Sequence, residues 1–208
     1  VTLFGREAGL GGKQVRAIAE DASGQIWCGM ADGTLWRQRG ERFERVVLDR
    51  PAGVINAIHH EADGTVWLGT GERGLVVGAE GRWQSVDTTR GLPDNNVTQI
   101  LADDRGNIWC GSSRGIFRVS RAELVGGLEG KAARVHAVLI GRDEGLKDIS
   151  CIGYNQPAAW RSRDGKLWFT TRRGVLEFDP ELAISEATVP PVRVEEITCA
   201  DAKLAART

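Results

Sequence analysis

The stretch DDRGNIWCGSSRGIFRV, Asp103 to Val119, decides the fold because it occurs four times. DASGQIWCGMADGTLW (Asp21 to Trp36), EADGTVWLGTGERGLVV (Glu61 to Val77) and SRDGKLWFTTRRGVLEF (Ser162 to Phe178) align with it. Trp27, Trp67, Trp109 and Trp168 hold one place, at intervals of 40, 42 and 59 residues. Gly24, Gly64, Gly106 and Gly165 stand three residues before each tryptophan, and Gly33, Gly74, Gly115 and Gly174 six or seven after it. Self-similarity at a fixed period is the mark of a repeat architecture.

One copy reads as a small antiparallel sheet. Val15 and Ile18, Ile55 and Ile58, or Val97 and Ile100 begin a first strand. The acidic residue and glycine that follow are turn chemistry: the carboxylate can accept backbone N–H groups ahead of it, and glycine takes positive φ at no steric cost. Ile26-Trp27-Cys28 or Val66-Trp67-Leu68 is a second strand, Thr34 to Trp36 or Ile116 to Val119 a third, and Arg42 to Leu48 or Arg82 to Val86 a fourth. Four short strands every forty-odd residues predict an all-β chain, a β-propeller of four-stranded antiparallel blades. Stacked blades would sandwich each tryptophan; at roughly 25 cal/mol per Å² over 150–250 Å², each contributes on the order of 4–6 kcal/mol before entropy.

The expected organisation is a propeller over residues 1–180, with blades at 15–48, 54–86, 97–140 and 151–179. A connecting loop recurs as Gly9-Leu10 and Gly91-Leu92, with Gly145-Leu146 as a weaker copy. It aligns Val1 to Phe4 with Trp83 to Val86, an outer strand, so residues 1–4 are a candidate closing strand for blade four. Ser120 to Lys131 predicts a short helix, with Ser120 as N-cap and Glu123 completing a capping box. Arg134 to Ile140 is then the outer strand of blade three. Residues 181–208 read as a linker, stopped by Pro190-Pro191, and the start of a truncated further domain.

Composition narrows the function. Lys and Arg number 27 and Asp and Glu 28, a net charge of −1, which argues against nucleic acid as a partner because counterion release needs a basic excess. Hydrophobic residues make up 41% of the chain, enough for a packed core. No apolar run is long enough to span a membrane, so this segment is expected to make no membrane contact itself. The chain begins at Val1 and its one methionine is Met30, so it is expected to be a piece of something longer.

The repeat resembles the two-component regulator propeller: a Gly-Leu loop, a Val-x-x-Ile strand, Asp-x-x-Gly, Ile-Trp-x-Gly and a Gly-Ile or Gly-Leu strand. Residues 9–119 carry the pattern, and Leu167-Trp168-Phe169 with Phe178-Asp179-Pro180 resembles the family's last blade before an Ig-like domain, whose start Pro190-Pro191-Val192 resembles. The resemblance implies the extracytoplasmic, periplasmic sensor part of a bacterial signalling receptor, usually seven-bladed; four repeats imply a fragment, a four-bladed ring, or half of a ring completed by a second copy. It implies no cofactor and no enzymatic activity.

Candidate ligand residues are those of the turns after the tryptophan strands: Asp32, Glu72, Arg73, Arg114, Arg172 and Arg173. Four arginines against two acids suit an anionic group on a small molecule or oligosaccharide. Two alternatives stand beside this reading. His59 or His60 could be the base of a propeller lyase, as in the streptogramin lyases; or the chain is a scaffold that self-assembles through unpaired edge strands. No metal site is expected, since His136 falls on an outer strand away from His59-His60. Cys28 and Cys110 follow signature tryptophans, packing positions on blades that are not neighbours, so a disulfide between them is excluded by reach. Four unpaired cysteines, with Cys151 and Cys199, sit awkwardly with an oxidising compartment and leave a cytoplasmic location open.

Overall fold

The computed structural model describes residues 1–11, 14–79, 81–128, 134–140, 149–153, 157–181, 196–199 and 202–205. Each repeat folds as an antiparallel sheet whose strands run in chain order from the inside outward. Blade 1 holds β1 (Val15–Glu20), β2 (Ile26–Met30), β3 (Leu35–Arg39) and β4 (Arg42–Val46); blade 2 holds β5 (Ile55–His60), β6 (Val66–Thr70), β7 (Leu75–Ala79) and β8 (Arg82–Val86). Blade 3 holds β9 (Val97–Ala102), β10 (Asn107–Ser112), β11 (Gly115–Ser120) and, after helix α1 (Arg121–Leu128), β12 (Val138–Ile140). Among the described residues blade 4 has three strands, β13 (Ala159–Arg161), β14 (Leu167–Thr171) and β15 (Gly174–Phe178). The array is a four-bladed β-propeller with inner strands β1, β5, β9 and β13 side by side in that order. A further hairpin, β16 (Glu196–Cys199) and β17 (Ala202–Ala205), follows.

The glycine grid has the physical role expected of it. Gly24, Gly64, Gly106 and Gly165 all take positive φ in the turn between the first two strands of their blade. The two Gly-Leu loops repeat in detail. Each ends a single 3-10 turn, Arg6–Ala8 or Thr88–Arg90, with its glycine left-handed, and each glycine lies against the backbone of the blade that follows, Gly9 on Phe43 of β4 and Gly91 on Val135 ahead of β12. The third copy, Gly145-Leu146, lies outside the described residues.

The core lies between blades. Trp27 packs into Leu35, Ile55, Val66 and Leu68 at the first junction. At the second, Trp67 meets Ile100, Cys110 and Phe117. At the third, Trp109 meets Leu167, Phe169 and Phe178, with the Phe178 ring centroid 5.0 Å from that of Trp109. Trp27, Trp67 and Trp109 thus lie on the trailing faces of their blades, each covered by the leading face of the next. Cys28, Cys110 and Cys151 are buried free thiols. Burial raises all three thiol pKa values, that of Cys151 to about 12.

Three details differ from the expectation. Residues 1–4 form no strand and no ladder joins them to blade 4; Phe4 instead rests edge-on against Phe43 of blade 1, ring centroids 5.7 Å apart. Ile18 of blade 1 is 58% exposed and Trp160 of blade 4 is 64% exposed, so among the described residues these two faces do not bury one another. The outer strand of blade 3 is shorter than 134–140, because its ladder with β11 holds Val138 to Ile140. The capping box does not form: Ser120 is paired with Asn107 at the end of β11, and the Glu123 carboxylate accepts the His136 backbone N–H at 2.7 Å. Of the expected linker, 182–195 lies outside the described residues.

Candidate functional site

The β2–β3, β6–β7, β10–β11 and β14–β15 turns place the six candidate residues at one end of the array. What holds the turns of blades 2, 3 and 4 is a hydroxyl that the sequence reading missed. Thr70, Ser112 and Thr171 end the second strand of blades 2, 3 and 4, and each hydroxyl donates to the carbonyl of Gly74, Gly115 or Gly174 at 2.8–3.0 Å. The same oxygens accept the backbone N–H of Arg73, Arg114 and Arg173 at 2.9–3.2 Å. The arginine backbones are therefore fixed at the turns. Asp32 is spent locally, its Oδ1 accepting the Thr34 N–H and hydroxyl. The Arg172 N–H donates to Ser150, and the Arg114 guanidinium donates to the Pro93 carbonyl at 3.2 Å.

The six do not converge on one cavity among those described. Arg73 lines a cavity of about 550 Å³ at this end, together with Arg50, Arg90, Asp49, Asp87 and Trp83. Asp87 is committed to the loop, where its Oδ1 accepts the Thr89 hydroxyl at 2.6 Å and N–H at 2.9 Å; those bonds outweigh its partial burial and hold its pKa below the ordinary carboxylate value. The Arg90 guanidinium donates to the Ser85 carbonyl. Three guanidinium groups against two carboxylates, of which Asp87 is already engaged in its loop, leave a positive lining that can receive an anionic group. Arg114, Arg172, Arg173, Asp32 and Glu72 stand on neighbouring turns outside it.

A larger cavity, about 700 Å³, opens between blades 1 and 2 at the opposite end, lined by Asp21, Trp27, Arg37, His60, Glu61 and Trp83 among others. The His60 ring lies 4.8 Å from that of Trp27, and the Arg37 guanidinium sits over the same indole at 5.3 Å. Burial lowers the His60 pKa against the opposing pull of Asp21, and lowers that of His59 against Glu61. Adjacent residues of a strand face opposite ways, and His59 pairs with Trp67 while His60 pairs with Val66, so the two imidazoles do not converge. Among the described residues no three His, Cys, Asp or Glu side chains come together as metal ligands.

The acidic turns also tie blades together, a role the sequence reading missed. Arg121, at the start of α1, is ion-paired with both Glu61 and Asp63 of blade 2. Arg161, at the end of β13, forms a two-pronged pair with Asp104 of blade 3, one prong at 2.9 Å. His60 is at the same register position as Arg161, seven residues before its tryptophan, and faces Asp21 of blade 1.

Residues 91–114 match the family model of the two component regulator propeller, so the chain carries that repeat where the sequence resemblance placed it. The fold is similar to the extracellular domain of the hybrid two component system BT3049 of B. thetaiotaomicron, at 24% identity and a TM-score of 0.68, over 88% of this chain and 24% of that one. It is similar to the extracellular domain of the hybrid system BT4673 of the same organism, at 21% identity and a TM-score of 0.61, over 81% and 23%. It is also similar to virginiamycin B lyase of Staphylococcus aureus, at 16% identity and a TM-score of 0.52, over 79% and 55%. The chain thus spans about a quarter of the length of the two receptor domains. No curated protein matches it.

Proposed function

We propose that the chain is a ligand-sensing propeller segment of a two-component-type signalling receptor, acting outside the cytoplasm and without catalysing a reaction. The observation that carries this reading is the two component regulator propeller repeat at 91–114. The blade array around it resembles extracellular receptor domains more closely than it resembles the lyase. No helix among the described residues is long and apolar enough to cross a membrane, so any anchor belongs to other segments. The three described thiols are buried, which shields them from oxidation in such a compartment.

The ligand would carry an anionic group and seat it at the arginine-lined cavity, with Arg73 as the residue that joins the turn end of the array to that cavity. The test is calorimetric titration of the whole chain with a simple uronic acid and with the matching neutral sugar. The acid should bind and the neutral sugar should not, and Arg73→Ala should weaken binding about tenfold or more, the cost of a lost charge-assisted contact. Equal binding of both sugars, or no binding of either, overturns the proposed site. Turnover of a streptogramin B substrate that disappears in His60→Ala would replace the sensor reading with the lyase one.

A further inference from the structure

We infer that the two cavities between blades 1 and 2 are the ends of one binding groove, and that it takes a short chain of sugar rings acidic at one end only, laid across Trp83. The inference rests on the arginine-lined cavity being the seat of an anionic group. Both walls of the cleft run from one cavity into the other. On blade 1, residues 44–47 line the larger cavity and residues 48–51 the smaller. On blade 2, Gly78 and Ala79 line the larger, Gln84 and Ser85 the smaller, and Trp83 lines both. At about 700 and 550 Å³, each cavity is by itself the size of a small-molecule site, so the groove has room for more than one ring.

Trp83 is mounted as a platform. It is half-buried on β8, cross-strand from Gly78 of β7. A Cβ on Gly78 would collide with its six-membered ring, so the bare glycine is what lets the indole lie down on the strand. The Trp83 backbone N–H donates to Asp49 of blade 1 at 3.3 Å, which ties the platform to the opposite wall. Trp27, Trp36, Trp67, Trp109 and Trp168 each spend the indole N–H on an oxygen of their own blade. That of Trp83 meets no acceptor among the described residues and is not sealed from solvent. A seated indole with its N–H open can stack a ring and donate to it as well.

Charge sets the direction of the ligand. At the smaller end Arg50, Arg73 and Arg90 face Asp49 and Asp87, and both carboxylates already accept backbone N–H groups. At the larger end the balance reverses: Asp21, Glu44, Glu61 and Asp63 stand against Arg37 and Arg45, with Arg121 paired to Glu61 and Asp63. A second anionic group would be repelled there, whereas neutral sugar hydroxyls can donate to carboxylate oxygens. The acid therefore sits at Arg73, the next ring on Trp83, and the neutral remainder beyond it.

The experiment is calorimetric titration of the whole chain with three acids, circular dichroism confirming that each variant is folded. The acids are glucuronic acid, an aldotriouronic acid (one uronic acid followed by two neutral sugars) and trigalacturonic acid. The aldotriouronic acid should bind about tenfold tighter than glucuronic acid, and trigalacturonic acid should bind more weakly than the aldotriouronic acid. Trp83→Leu should remove the tenfold gain and leave glucuronic acid binding unchanged. Gly78 lines only the larger cavity, and Gly78→Ala should act the same way by unseating the indole. Arg73→Ala should weaken all three acids. Glucuronic acid binding that gains nothing from added neutral rings, or a gain that survives Trp83→Leu, overturns the groove and leaves the arginine site standing. Trigalacturonic acid binding as tightly as the aldotriouronic acid overturns the one-ended ligand. Failure of every acid to bind overturns the arginine site and the groove with it.

Discussion

The indole Nε1–H of Trp109 donates to Asp103 Oδ2 at 2.8 Å, and the same bond recurs across six residues in every blade: Trp27 to Asp21, Trp67 to Glu61, Trp168 to Ser162. Asp103 Oδ1 meanwhile accepts the Arg105 and Asn107 N–H groups at 2.9 Å each. One carboxylate thus closes the turn and fixes the rotamer of the residue that fills the junction. Asp103→Ala should therefore lose about 1–3 kcal/mol, the cost of leaving a buried donor without a partner. Ser162→Ala should lose less, since Trp168 is only partly buried. Urea denaturation of the two variants checks the order, and equal losses would contradict it.

Glycine tolerance should divide by position. Gly64 has φ +88 and open space where a Cβ would stand, so Gly64→Ala should cost only the left-handed backbone penalty, about 1–2 kcal/mol. Gly91 has φ +108, and its Cβ would collide with the Val135 carbonyl oxygen, so Gly91→Ala adds a steric cost and should unfold at a clearly lower urea concentration. Matching midpoints would show that the loop does not press on the Val135 backbone as described.

Acid should destabilise the first two junctions early. Burial lowers the His59 and His60 pKa values below the ordinary 6.5. A group with a depressed folded-state pKa contributes stability that is full above its unfolded value and is lost as pH falls through the folded one. Unfolding free energy should thus hold steady above pH 6.5 and decline below it, through the lowered histidine values. A His59→Gln/His60→Gln variant should flatten that decline. A second loss follows near and below 3.8 as Asp21 and Asp103 protonate: burial opposes their charge, but the indole and backbone bonds prevail and keep both pKa values low. A stability that rises as pH falls from 6.5 would contradict the burial of these rings.

The described thiols should be silent in the folded chain. In a Cys199→Ala background, Cys28, Cys110 and Cys151 should resist a thiol-specific dye at neutral pH and react only in denaturant, because burial disfavours the thiolate that attacks. Labelling of Cys110 in native buffer would place it in contact with water.

Much of this arrangement is legible in the residues themselves. The tryptophan and glycine grid gives blade number, strand order and which turns share an end, since period and turn chemistry are local properties. The cysteines after Trp27 and Trp109 are readable as packing atoms for the same reason. What is not legible depends on which blade lies beside which. The Arg121 bridge to Glu61 and Asp63 joins residues about sixty apart in sequence, and Glu123 leaves its own helix for His136 across a thirteen-residue gap. The indole–acid bond could have been found: a constant offset of six residues between an oxygen acceptor and each tryptophan is in the sequence. The scatter of the turn arginines could not, because guanidinium reach exceeds what a register can fix.

The unequal coverage of the four tryptophans has a consequence for how the chain falls apart. In a linear stack each unit is held only by its neighbours, so cohesion is a sum of adjacent contacts and the terminal units are weakest. The fourth, three-stranded and with Trp160 exposed among the described residues, will exchange its amide protons soonest, whereas Trp67 and Trp109, with no accessible surface, mark the part that opens only with the whole. Melting will advance from one end, and a proteolytic nick after partial opening will leave a shorter, still ordered core.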